Sequence, residues 1–482
     1  MNRFKQINFK QLWPDILESI KGTEQDFTAG SVGRAILLLS IPMVLEMGME
    51  AIFALVDIIF LINYGTEEVA VVGLTESLMS IVYSIGWGLG IASTAIVSRR
   101  TGEHKPEEAS ISGVQGILAG ILISIIIAIP GLIFNKEILA LMGASTEAIE
   151  VGHWYPKLMI GGNIVIMLLF INNAIFRSAG DAAVALRVLT IANGINIILD
   201  PCLIYGIGPF PELGVMGAAI ATNTGRGIAV VFQFYLMFNG KHRIKLAVKY
   251  IKVRIKIMLE LILLSTGTIG QFLISSSSWI FLNWIMGNYF GDSAVAGYTV
   301  AIRIIIFTIL PSWGMANAAA TLVGQNLGAK QPNRAERSAW ITAKANLIFL
   351  SFVTVIFITM PHIIMGMVIK DDPYALKVAV DCMRILGYTY PVYGLGMVII
   401  QSINGAGDTF TPTILNVICF WVLEIPLAYL LAITLNWNEQ GVYYAIIISE
   451  TILVILAILI FKRGKWKLKE VYSVCSHQFS KF

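Results

Sequence analysis

Charge is scarce in this chain: Asp, Glu, Lys and Arg make up only 13% of 482 residues, about half the share in an ordinary soluble domain. Cysteine is nearly absent. Cys202, Cys382, Cys419 and Cys475 lie far apart with no CxxC or other ligand spacing, which excludes zinc and dithiol redox chemistry and leaves packing residues or free thiols. Histidine is as rare, and His104, His153, His242, His362 and His477 all fall in loops or at the ends of apolar runs. An enzyme acting within the membrane would need clustered ligands or a nucleophile with its base, and the interior offers neither. The stretch "MNRFKQINFKQLWPDILESIKGTEQDF" that opens the chain has no apolar core and no small-residue cleavage site, so it reads as an amphipathic lead-in on the cytoplasmic side, not a signal peptide.

Apolar residues dominate instead, at 56%, with a mean hydropathy of +0.76. This composition implies a polytopic membrane protein. Stretches of roughly 20 apolar residues, the length that crosses a bilayer, occur twelve times: 36–62, 70–98, 111–134, 155–176, 184–206, 214–238, 258–286, 294–322, 338–361, 383–404, 411–435 and 440–461. Lys and Arg concentrate on one side of this arrangement, in "SRRTGEHK", "KHRIKLAVKYIKVRIK", "GAKQPNRAER" and "KRGKWKLK". The positive-inside rule then puts both termini in the cytoplasm of a multi-pass protein of the cell's inner (plasma) membrane.

The chain also repeats itself in two halves. "VSRRTGEHKPEEA" (97–109) aligns with "VGQNLGAKQPNRA" (323–335), and "SAGD" (178–181) with "GAGD" (405–408) one residue later. The expected fold is all-α: twelve transmembrane helices in two six-helix lobes related by a pseudo-two-fold axis along the membrane normal. The parts are a cytoplasmic segment 1–34, an N-lobe 35–238, a basic linker 239–257, a C-lobe 258–462 and a tail 463–482. Parallel repeats of this kind hold substrate between the halves. The glycines of "GWGLG" (86–90) and "GLGMV" (394–398) lie inside spans and read as helix packing.

Span 1, "IPMVLEMGMEAIFALVDIIFLI" (41–62), carries three acids although a carboxylate at the bilayer centre costs about 2.5–3.5 kcal/mol or more. Glu50 and Asp57 stand about 40° and 20° round the helix from Glu46, so the three share one stripe, with Pro42 near the same face. That stripe must face protein or a watered cavity. Span 5 supplies a second acid at similar depth: Asp200 lies six residues from that span's outer end and Asp57 five from the end of span 1, with Asn196 one turn from Asp200. Two buried carboxylates and an amide favour uptake of a proton or a small cation. The C-lobe counterparts carry Gln271, a serine run and Asn283, and its one outer-half acid of this kind is Glu424.

These features, with "RSAGDAAVALRV…ILDPCLIYG" over spans 4 and 5 and "GAGDTFTPTILN…IPLAYLL" over spans 10 and 11, resemble the multidrug and toxic compound extrusion (MATE) family from about residue 30 to 462. The acidic N-lobe is closest to its DinF-like branch. The resemblance implies export of small amphipathic organic cations by alternating-access antiport against H⁺ or Na⁺, in a monomer that needs the lipid bilayer, no cofactor and no nucleic acid. It assigns ion coupling, with Na⁺ as the only metal, to Asp57, Asn196, Asp200 and Thr222, a supporting N-lobe network to Tyr155 and Asn173, and a hinge to Pro42. Glu46, Glu50, Gln271, Asn283 and Glu424 are candidate substrate-cavity residues, and Glu46, Glu50 and Glu424 depart from the family pattern. The nearest rival within the superfamily, a lipid-linked oligosaccharide flippase, needs a cavity lined with Lys and Arg, whereas the interiors of these spans hold acids and only Arg226 and Arg303.

Overall fold

The computed structural model describes residues 9–22, 25–61, 66–240 and 242–471; side chains 9–12, 54–59, 61, 66–67 and 248 also lie outside that description. Eleven helical segments of the described chain are long and apolar enough to cross a bilayer. They are span 1 (Val32–Leu61), span 2 (Thr66–Gly102), span 3 (Pro106–Ile133), span 4 (Trp154–Ser178, a lead-in helix Trp154–Gly161 continued by the 16-residue helix Asn163–Ser178), span 5 (Ala182–Ile204), span 6 (Val215–Phe238), span 7 (Ile255–Phe290), span 8 (Asp292–Gly328), span 9 (Pro332–Thr359), span 11 (Phe410–Thr434) and span 12 (Glu439–Arg463).

Span 10 is the exception. The apolar run expected at 383–404 divides, because Gly387 closes the helix Pro373–Gly387 and Pro391 opens the next, Tyr390–Gly405. Its 16 residues match those of the second helix of span 4, Asn163–Ser178, which also follows a separate lead-in helix. The twelve helices form two lobes. Apolar residues point outward from both, including Ile125, Ile126 and Ile129 on span 3 and Ile348, Phe352 and Val355 on span 9, the surface a bilayer requires.

The repeat is visible in the backbone. His104 and Lys330 both take left-handed conformations, at φ 57° and 58°, and each is followed by a helix with proline in its first turn. Gly180 and Gly407, in the paired AGD turns, have φ 95° and 91°. Glycine suits such a turn because it lacks the Cβ that clashes there.

The lobes meet on the side that carries the basic loops and both ends of the described chain. Gly88 of span 2 lies against Ile269 of span 7, and Gly314 of span 8 against the carbonyl of Met43 in span 1. Gly314 is the repeat counterpart of Gly88, and Ile269 that of Met43. Nearer the chain ends, Arg99 Nη2 donates to Ala406 O (3.1 Å) and Lys469 O (3.0 Å), and Arg100 Nη2 donates to Val471 O (2.8 Å). In the opposite direction Gln325 Nε2 donates to Ser178 O (2.8 Å). Arg334 donates to the carbonyls of Phe27, Ala29 and Gly30, clamping the chain ahead of span 1 onto the C-lobe.

On the far side the seam is open. Ser80 shares a helical face with Trp87, Ile306 with Trp313 and Ser276 with Phe272, each within about 40°. The three rings are half-buried in the seam, while Ser80, Ile306 and Ser276, one to two turns farther from the chain ends, are exposed. Spans 2, 7 and 8 therefore separate above the rings, and the molecule is a V open to the side opposite its termini.

Candidate functional site

Spans 1 and 5 pack side by side and are pinned at two levels. Asn193 Nδ2 donates to Met49 O (2.8 Å), and Tyr205 Oη donates to Phe60 O (2.6 Å) near the far ends. Asp57 is eight residues beyond Met49 and Asp200 seven beyond Asn193, so their Cα atoms differ in height by only about 1.5 Å. The Asp57 side chain lies outside the described residues.

Asp200 is buried, and Asn196 Nδ2 is shared between its Oδ1 (3.2 Å) and Thr222 Oγ1 of span 6 (3.3 Å). The carbonyl of that amide, Asn196 Oδ1, is buried with no hydrogen-bond partner among the described residues. Such an orphaned acceptor is uncommon in a well-packed interior. With its nitrogen between the carboxylate and the hydroxyl, the amide suits a proton on the acid as it stands, and turning the amide over would bring three oxygens together as a donor set for a hard cation such as Na⁺.

A second network lies closer to the termini. Glu46 is 1% exposed and accepts from Arg177 Nη1 (2.5 Å) and Asn173 Nδ2 (3.0 Å). Gln233 Nε2 of span 6 donates to Asn173 Oδ1 (2.6 Å), and Asn172 Nδ2 donates to Gln233 Oε1 (3.1 Å). Glu50, one turn on, pairs with Arg226 at 3.2 Å. Two carboxylates of the span 1 stripe are thus held by arginines, and the Asp57 helix position lies beyond them. Tyr155 does not touch Asn173; its Oη donates to Glu76 Oε1 (3.3 Å) on span 2, a carboxylate within electrostatic reach of Arg226.

The C-lobe builds the matching span 7 to span 10 junction without charge. Gln271 Nε2 donates to Asn404 Oδ1 (3.1 Å) and Thr409 O (3.0 Å), and Asn404 Nδ2 returns a bond to Gln271 Oε1 (3.1 Å). Glu424 is buried where span 11 turns π-helical and accepts from Ser278 (2.8 Å) and Ser449 (2.7 Å). Asn283 is exposed on the face of span 7 that carries Phe272. Gln271 and Glu424 are therefore packed into the lobe in this state, whereas Asn283 looks out from it. Arg303 is exposed and makes no ion pair among the described residues.

The sequence profile of the MatE family matches residues 42–202 and 268–430, one stretch in each half of the repeat. The chain belongs to the MatE family. This MatE protein is similar to the FAD transporter of Shewanella oneidensis, 26% identical over 83% of this chain and 88% of that one. It is also similar to the probable multidrug resistance protein YoeA of Bacillus subtilis, 23% identical over 92% of this chain and 96% of the other. A solved structure described as the outward-facing conformation of a multidrug resistance MATE family transporter superposes with a TM-score of 0.85 at 25% identity, covering 92% of this chain and 98% of that one. The MatE protein is thus a multi-pass membrane transporter and not an enzyme.

Three residues that hold the second N-lobe network together were not singled out as site residues from sequence: Arg177, Arg226 and Gln233. A signal existed for two of them, since Thr222, Arg226 and Gln233 recur at i, i+4 and i+11 on one face of an otherwise apolar span 6. Arg177 stands one turn after Asn173 but at the end of its span, where a basic residue needs no special explanation.

Proposed function

We propose that this transporter exports organic cations by alternating-access antiport against H⁺ or Na⁺, with Asp57, Asn196, Asp200 and Thr222 as the coupling site. One observation carries the reading: the buried Asp200 carboxylate beside the orphaned amide oxygen of Asn196, at the height of the Asp57 helix position. Loading that site from the open side with a proton or a sodium ion neutralises the acid and removes the need to keep it hydrated. Span 1 then bends near Pro42, where the helix lacks one backbone hydrogen bond, and cargo leaves. The basic loops face the cytoplasm of the inner membrane, by the positive-inside rule, so the open cleft faces outward. The acidic N-lobe supports placement in the DinF-like branch, and a monomer of two lobes suffices for the cycle.

The test is uptake of a fluorescent cation into proteoliposomes under an imposed pH gradient or an imposed sodium gradient, each applied alone. A D57N/D200N double variant should bind cargo yet lose gradient-driven accumulation. Accumulation at the wild-type rate by that variant overturns the proposal.

A further inference from the structure

At the bottom of the open cleft, where the seam between the lobes begins to separate, five aromatic rings form one continuous surface. Trp87 lies 5.7 Å from Trp313, ring centre to ring centre, and both lie 5.4 Å from Phe272, which stacks on Trp313 with an interplanar angle of 11°. Phe170 (5.8 Å) and Tyr83 (6.4 Å) extend the surface from Trp87 into the N-lobe. Trp87 and Trp313 stand one repeat length apart, as Gly88 and Gly314 do, so they are repeat partners meeting across the pseudo-two-fold axis. Helices cross closely just beneath them, at Gly88 against Ile269 and Gly314 against Met43, and Thr268 Oγ1 donates to Gly88 O (2.9 Å).

Trp87, Phe272 and Trp313 belong to none of the apolar cores that hold the lobes together. All five rings are half-buried, whereas Val82 and Leu89, which turn away from Trp87 into the N-lobe core, are almost fully covered. Rings left partly exposed in this way suit a flat conjugated system, which gains offset stacking or edge contacts, and a positive charge delocalised over such a system gains a cation–π contribution, strongest over indole. Tryptophans from both lobes would hold such a guest until the lobes move apart at their base.

We propose that Trp87, Trp313 and Phe272, flanked by Phe170 and Tyr83, are a docking floor for the planar aromatic portion of the cargo, so that flat polycyclic cations are recognised by stacking. The proposal deepens the cation-export reading and rests on it for the sign of the charge only. Docking on the floor engages both lobes at once, which ties occupancy of the cleft to the closed seam beneath it.

The experiment measures binding to the full-length protein in lipid nanodiscs with three probes: ethidium as a planar cation, fluorescein as a planar anion and tetrapropylammonium as a cation without rings. W87L/W313L should weaken ethidium about tenfold and leave tetrapropylammonium within about twofold, while W87F/W313F, which keeps a ring at each position, should restore most of the ethidium affinity. Unchanged ethidium affinity in W87L/W313L, or an equal loss for ethidium and tetrapropylammonium, overturns the docking floor. Fluorescein binding more tightly than ethidium, with the same dependence on the two tryptophans, upholds the floor and overturns the cationic reading.

Discussion

Gly102, the last residue of span 2, rests on the backbone carbonyl of Gln325 in span 8, and its repeat counterpart Gly328 rests in the same way on the carbonyl of Arg99. The two contacts are images of one another across the pseudo-two-fold axis. A methyl group at either position would overlap backbone, which cannot move aside as a flexible side chain can.

G102A and G328A should therefore wedge the lobes apart on the side of the termini and depopulate the state described. The check is the rate at which S98C, against Gly324 and one turn from Gly102, is alkylated by a membrane-impermeant reagent added from the side of the termini. It should rise severalfold in G102A and further in G102A/G328A, with the fold retained. An unchanged rate would mean that the crossing is not what closes the seam.

Arg177 and Glu46 form a buried pair, 13% and 1% exposed. Removing one partner of such a pair strands the other charge and costs about 3–5 kcal/mol, whereas replacing both with apolar side chains of similar volume is often nearly neutral. R177M should lower the thermal unfolding temperature clearly, and E46L/R177M should recover most of the loss. Loss of stability that simply adds in the double variant would show that the pair contributes nothing as a pair.

Asn196 carries, at the proposed coupling site, an amide oxygen that no group of the described protein satisfies. N196A should raise the proton or sodium concentration needed for half-maximal flux about tenfold, the equivalent of about 1.4 kcal/mol of lost coordination. Cargo affinity measured without a gradient should be unaffected. An unchanged ion dependence would remove Asn196 from the site.

Asp26, ahead of span 1, is subject to burial, which raises its pKa, but hydrogen bonds from the side chain and backbone of Thr28 and the nearby His104 and Arg243 outweigh it, holding the carboxyl below its usual value of 3.8. Because the folded pKa is depressed, its contribution is present above about pH 4 and is lost as pH falls through the folded value. Amide exchange over 27–30 should accelerate on acidification below that point, and D26N should remove the step. Exchange that stays flat in the wild type would show that the turn does not depend on this carboxylate.

How much of this was legible in the sequence depends on the distance over which each feature acts. Span count, the internal repeat and the similar depth of Asp57 and Asp200 follow from periodicity and apolar length, which are local properties. The glycines of "GWGLG" do pack against neighbouring helices, as their type implied, but Trp87 between them meets Trp313 from the other lobe, and nothing local marks that meeting. The same holds for Glu46 with Arg177 and Glu50 with Arg226, pairs separated by 131 and 176 residues. The split ahead of span 10 was legible in principle from Gly387 and Pro391, but an apolar stretch running through both masked it.

Arg99 reaches the AGD turn of the C-lobe, and its repeat partner Gln325 reaches the turn region of the N-lobe. Each half thus carries both a probe and the turn that receives one, and neither can satisfy its own. A free-standing six-helix half would be self-complementary, and two copies lying parallel in the bilayer could complete each other around a true two-fold. In the full chain, a substitution in one AGD turn alters the grip of the opposite lobe, so the seam's closure answers to both halves together.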